Sequence, residues 1–199
     1  TRSRMTGADI ARSILEDNNI RDVKVERIPG ELSDHYDPRT KVLRLSEPVY
    51  DSNSMAAFGV AAHEVGHAIQ HAKSYSMLQF RSAWVPVANF GGGISTFVII
   101  LAFFMGGAAS ATGSTLAWLG VLLFGCTTVF TLVTLPVEFD ASKRALVCLK
   151  QGNYVTEKEL DGARKVLNAA AMTYVAAFIT SLLTLLYWAH KLGLLGGRR

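Results

Sequence analysis

Residues 61–71 read AAHEVGHAIQH, three histidines and one carboxylate set among small and apolar residues. On a helix, residues four apart stack on one face, so His63 and His67 can present ring nitrogens to a single ion while Glu64 points beside it. This is the HExxH spacing. The two imidazoles would serve as neutral ligands of one zinc ion per chain, and Glu64 would be left to take a proton from the attacking water, the division of labour that metal-assisted hydrolysis requires. Val60, Ala61, Ala62, Val65, Gly66, Ala68 and Ile69 around the motif carry no charge, as suits a helix passing beneath a catalytic metal. His71 lies two steps of four beyond His63, on the order of 12 Å along the axis, too far for all three histidines to share an ion. Pairing His71 with His67 would carry Glu64 away from the metal, and no turn-forming glycine follows His67 at the spacing that returns a third histidine in metzincins. His71 is therefore read as lying outside the ligand set.

The elements that must position this motif are membrane elements for the most part. The chain has 199 residues and is 50% hydrophobic, with the apolar residues concentrated in long runs. Residues 82–105, 115–137 and 169–190 contain no Asp, Glu, Lys or Arg, and each has the roughly 20 residues that cross a bilayer core. Three transmembrane helices are expected there. Residues 1–81 carry charges throughout and read as a water-soluble part that ends in the HEVGH helix. Within it, Thr6 with Asp9 caps a first helix that stops at Asn18 and Asn19. VKVERI, and two extended pieces flanking the turn at residues 37–40, then suggest a small sheet that ends in KVLRLS. Asp51, Ser52 or Ser54 would cap the HEVGH helix from about Met55. Residues 138–168 return as charged helix, with Thr156 and Glu159 forming a capping box for a helix that runs on into the third span. Pro136 is expected to kink the chain near the membrane edge.

Several function classes find no support. The net charge is +4 with no basic run interleaved with aromatics, so nucleic acid is not an expected partner. Cys126 and Cys148 form neither a disulfide framework nor a CxxC knuckle. An ion carrier would need charged groups within the spans, and those carry none. Gly91, Gly92 and Gly93 lack the GK[ST] of a phosphate loop and are read as small residues for helix packing in lipid. The chain opens with neither a signal peptide nor a methionine.

A catalytic zinc takes three protein ligands and an open position. The HEVGH helix precedes the first span, two crossings return the chain to the same side, and the first carboxylates met on return are Glu138 and Asp140. Glu138 is assigned as the third ligand and Asp140 as the group that orients a ligand histidine. The alternative for Glu138 is an interfacial carboxylate reaching for water. A donor for the developing oxyanion could come from His35, Tyr36, Tyr75 or Tyr154. KVLRLS, immediately before the helix, is the expected exposed strand on which a peptide would pair. Lys73, Arg81, Lys143, Arg144, Lys150, Lys158, Arg164 and Lys165 all fall on the side of the motif, opposed by Lys191, Arg198 and Arg199, which places that side in the cytoplasm.

HEVGHAIQH, SDHYDPRTKVLRLSEPVY and LPVEFDASKRAL together resemble the YugP-type neutral zinc metallopeptidases of bacterial membranes, over nearly the whole chain. The resemblance implies zinc dependence, a membrane-embedded gluzincin architecture and an additional hydrophobic segment upstream of residue 1. More distantly, the order of sheet, HExxH helix, two spans and glutamate is similar to HtpX-type and CAAX-prenyl endopeptidases, which carry an Asp four residues after the ligand glutamate. That position is Ser142 here, and the acid stands at Asp140. The expectation is an α+β membrane protein, a small zincin-like sheet and HExxH helix packed on three transmembrane helices. Its expected activity is that of a zinc endopeptidase embedded in the bacterial cell membrane, cutting peptides or membrane proteins. A zinc-binding membrane adaptor that cleaves nothing is the second expectation.

Overall fold

A computed structural model describes residues 5–195. The chain divides into two compact units, one built from residues up to 78 with 136–172, the other from residues 79–135 with those from 173 onward.

The first unit is a small sheet and a set of helices around one apolar core. Helix α1 (Gly7–Asp17) starts on a reciprocal Thr6–Asp9 capping box and ends at Asn18, after which Asn19 takes a left-handed conformation, φ 57°. Its apolar face, Ile10, Ala11, Ile14 and Leu15, is fully buried. Strands β1 (Lys24–Ile28), β2 (His35–Asp37) and β3 (Val42–Ser46) form a three-stranded sheet in the order β1-β3-β2. β1 runs parallel to β3 and β2 antiparallel to it. The strand expected to be open for peptide pairing is thus the central one: β3 is hydrogen-bonded on both edges and cannot take a further partner. Its composition gives the reason. Val42, Leu43 and Leu45 are all buried, and a strand covered on both faces belongs in the middle of a sheet.

A short helix α2 (Glu47–Tyr50) leads to α3 (Met55–Ala72), which carries the HEVGH motif. Ser54 is its N-cap, the hydroxyl accepting from the Ala57 amide at 3.2 Å. Leu43, Leu45, Phe58, Val65 and Ile69 share one core with α1 and with Ala145, Leu149, Leu160 and Ala163 of the later helices. Small residues let α3 lie against those helices at close range. A Cβ placed on Gly59 would stand 3.5 Å from the Ala163 Cβ, and one on Gly66 only 2.5 Å from the Ala141 carbonyl oxygen.

Three helices are long and apolar enough to cross a membrane: α4 (Ser76–Phe104), α5 (Ala111–Gln151) and α6 (Glu157–Lys191). α5 and α6 contain the expected runs 115–137 and 169–190 and extend beyond them, and α4 covers all of the expected run 82–105 but its last residue. α5 runs on through Pro136 as one helix. α6 begins on the Thr156–Glu159 capping box. In the second unit, the Trp84 indole donates to the Cys126 carbonyl at 2.9 Å, and the Thr128 and Ser181 hydroxyls meet at 2.8 Å. A Cβ on Gly91 would lie 2.6 Å from the Leu123 oxygen and one on Gly92 3.0 Å from the Thr127 hydroxyl, whereas Gly93 faces open space. Two of the three consecutive glycines therefore serve helix packing. A single turn of 3-10 helix, Gly107–Ala109, links α4 to α5.

The Gly66 contact can be tested directly. The methyl group of Gly66→Ala would collide with main-chain atoms of Ala141, which cannot turn aside, and overpacking of this kind costs about 1–3 kcal/mol. Thermal unfolding of the detergent-solubilised chain should show a lowered midpoint, whereas Gly93→Ala, with no neighbour to strike, should leave it within error of the parent.

Candidate metal centre

The 18 residues of α3 have the composition of a helix that must touch neighbours on several sides, with alanine or glycine at eight positions and larger apolar side chains at Met55, Phe58, Val60, Val65 and Ile69. His63 and His67, four apart, emerge on one face. Their rings meet edge to face with centroids 4.8 Å apart. Across from them stands Glu138, on the first turn of α5 past Pro136 and only 3% exposed. Its Oε2 lies 3.1 Å from His63 Nε2 and 3.6 Å from His67 Nε2. Among the described residues these three form a group whose ligand atoms all lie within 4.8 Å of one another.

The donor set fits a small divalent cation. It offers two imidazole nitrogens and one carboxylate oxygen, a combination suited to zinc. The electrostatics favour positive charge there as well. Burial alone would lower the pKa of His67, but the hydrogen bond to Glu138 and the charges of Glu64 and Glu138 outweigh it and raise the imidazole above its ordinary value. Three residues are thus oriented to share one positive charge, and a divalent ion supplies it without requiring a protonated ring.

Glu64 lies beside this group, 8% exposed. Its carboxylate takes no hydrogen bond or ion pair from the described residues, so the oxygens remain free for a water.

Two further side chains reach the ligand histidines from behind. His63 Nδ1 is 3.0 Å from the Ser142 hydroxyl, and His67 Nδ1 is 3.0 Å from Gln70 Oε1. Ser142 thus occupies the place that the HtpX-type resemblance assigns to an acid. Asp140 does not meet a histidine itself. It accepts from Gln70 Nε2 at 2.8 Å and pairs with the Arg144 guanidinium, so its link to His67 passes through Gln70. Gln70 was not among the residues singled out from sequence, although it lies three positions after His67 and so shares its face of the helix. Ser142 stands in the same relation to Glu138, four positions on.

Three of the four candidate oxyanion donors, His35, Tyr36 and Tyr154, hold other hydrogen-bond partners. His35 is exposed, its ring lying between the Ser33 carbonyl at 2.7 Å and the Arg44 guanidinium at 3.4 Å. The Tyr36 hydroxyl is 2.8 Å from His71 Nδ1, which gives His71 a partner on β2 and leaves it outside the ligand group. Burial, and then the charges of Asp22 and Asp37, push the Tyr36 phenol up to about 12. The Tyr154 hydroxyl donates to Asp17. Arg144 lies over the ring of Tyr75, 5.7 Å from its centroid. None of the four is hydrogen-bonded to His63, Glu64, His67 or Glu138.

Comparison with known proteins agrees with this centre. A family model described as "Putative neutral zinc metallopeptidase" matches residues 1–192. The chain is 47% identical over 181 residues to a protein of Bacillus subtilis (strain 168) named "Putative membrane protease YugP", an alignment covering 91% of this chain and 78% of that protein. No solved structure matches.

Elemental analysis of the detergent-purified protein checks the ligand set. About one zinc per chain is expected in the parent and in His71→Ala, falling below about a tenth of that in His63→Ala and Glu138→Ala, since loss of one of three ligands removes most of the binding free energy.

Proposed function

The chain belongs to the "Putative neutral zinc metallopeptidase" family, and on that premise we propose that it is a membrane-anchored endopeptidase that hydrolyses peptide bonds of membrane proteins or peptides. The observation that carries the reading is an unpartnered glutamate next to a buried two-histidine, one-glutamate group. A centre that only held metal for structural reasons would have no use for a free carboxylate at that position.

In the proposed mechanism, His63, His67 and Glu138 would hold a zinc ion, which would supply Lewis-acid polarisation of the scissile carbonyl and a lowered pKa for the attacking water. The chain's own part begins with Glu64. It accepts the proton of that water through its free carboxylate and passes it to the leaving nitrogen, a transfer that positioned bases accelerate by about 10²–10⁴-fold. His63 and His67 each have Nδ1 occupied by a helix-borne partner and Nε2 turned toward Glu138.

A peptide substrate would be held by strand pairing, for which the sheet offers its outer strands β1 and β2 rather than β3. β2 is the edge adjoining the metal helix, since Tyr36 on it contacts His71 of α3. The oxyanion donor is then sought among groups the substrate itself would bring within reach, with His35, the exposed member of β2, as the side chain able to turn. The excess of Lys and Arg flanking the motif side of the spans argues for a cytoplasmic centre.

Cleavage of a mixed peptide library, read by mass spectrometry, tests the assignment. Glu64→Gln should hold zinc at the parental level and lose turnover by about 10²–10⁴-fold. Full activity in that variant removes Glu64 from the mechanism. A zinc-loaded parent that cuts no peptide and no reconstituted membrane protein would instead support the adaptor.

A further inference from the structure

Gln70 is a buried polar side chain for which hydrolysis itself supplies no role. It is 0% exposed, and a side-chain amide in that position has one acceptor and two N–H donors to satisfy. All of them are matched. Oε1 faces His67 Nδ1 at 3.0 Å, while Nε2 donates to the Val137 main-chain oxygen and to Asp140 Oδ2, both at 2.8 Å.

Which end of an amide is oxygen follows from what surrounds it. The neighbours on the Nε2 side are the Val137 main-chain carbonyl and an Asp140 carboxylate oxygen that also accepts from the Arg144 guanidinium. Both can only accept. Turning the amide over would set its oxygen against two acceptors, at a cost of buried unsatisfied groups on both sides. The oxygen therefore points to His67, and an oxygen there can only accept a hydrogen bond, which Nδ1–H must donate. Ser142, behind His63, imposes no such direction, because a hydroxyl both donates and accepts.

We infer that Gln70 is the positioning residue of the centre: it holds His67 in the Nδ1–H form with Nε2 turned to the ion, and it ties that histidine to the turn of α5 that carries Glu138. The inference rests on the reading of His63, His67 and Glu138 as zinc ligands. Gln70 touches neither substrate nor ion. Its two donors grip residues on either side of Glu138 in sequence, Val137 just before it and Asp140 two positions after. One side chain thus sets the orientation of a ligand on α3 and the placement of a ligand on α5. Arg144, by holding Asp140, fixes the far end of the chain of contacts.

The test uses the full detergent-purified chain. Zinc is titrated in competition with a chelator in the parent, in Gln70→Leu and in Asp140→Ala, and ring N–H protons of nitrogen-labelled histidine are followed by NMR in the zinc-loaded proteins. The parent should show a slowly exchanging His67 Nδ1–H. Gln70→Leu should bind zinc about 10–100-fold more weakly, the range found for lost outer-shell partners, and that proton should exchange rapidly with water. Asp140→Ala should fall between, because the Val137 oxygen still holds one donor. Parental zinc affinity in Gln70→Leu with the ring proton still protected would overturn the inference. Should Gln70→Leu fail to fold, Asp140→Ala at a partly exposed position decides in the same way, and parental affinity with a protected proton there overturns it. A parent chain that takes up no zinc would remove the ligand reading and the inference with it, an outcome distinct from a Gln70 variant that is loaded like the parent.

Discussion

A carboxylate buried beside two imidazoles is the constraint around which the first unit is organised. Water is withdrawn from Glu138, and a buried charge is tolerated only where opposite charge and hydrogen bonds replace the lost hydration. His63 and His67 supply the replacement from one side and require support in turn: Ser142 behind one ring, Gln70 behind the other, Asp140 and Arg144 behind Gln70. Each step outward is more exposed than the last, from the fully buried Gln70 to the partly exposed Asp140 and Arg144. The arrangement therefore brings the electrostatic cost of a buried carboxylate out to the surface by stages.

That carboxylate can sit where it does because α3 and α5 approach more closely than ordinary side chains would permit. Gly66, inside the HEVGH motif, leaves its place empty against the Ala141 main chain, one helical turn beyond Glu138. The two histidines and the glutamate were legible in sequence for separate reasons. The histidines follow from helical periodicity, and Glu138 follows from counting two membrane crossings and taking the first acid on return. Their supports were harder to read. Gln70 and Ser142 occupy the right helical positions relative to His67 and Glu138, but glutamine and serine on a helix are ordinarily solvated, and only the close packing of α3 on α5 gives them work. Asp140 was legible as an outer partner, while the intermediary through which it acts was not.

The remainder of the fold divides along the same line between local and non-local signals. Caps at Thr6 and Thr156 could be read directly because they depend on a residue and its neighbour three positions on, while Ser54 was one of three candidates for the cap of α3. The three extended segments could be read as strands, but not their order, since β1 pairs directly with β3 and leaves β2 on the far edge of β3. KVLRLS looked like an accessible strand because it adjoins the metal helix, yet Val42, Leu43 and Leu45 mark a strand with both faces covered. Tyr36 and Tyr154 stood out as phenols able to reach a substrate, and the structure commits both to fixed partners, His71 and Asp17, that no spacing rule connects to them. In the second unit the signal is length and apolarity alone, and the glycine run shows its limit: Gly91 and Gly92 face neighbours and Gly93 does not, a distinction set by which side of α4 each residue occupies.

The two ends of the centre are 75 residues apart in the chain, His63 to Glu138, and both apolar runs of the first hairpin lie between them. During synthesis the histidines leave the ribosome long before the glutamate exists, and a pair of imidazoles alone makes a weak, exchangeable metal site. Glu138 becomes available only after α4 and the apolar length of α5 have been made and have formed helix. Assembly of the centre is thereby tied to the completion of the hairpin, and a nascent or truncated chain carries the HExxH motif without the means to use it.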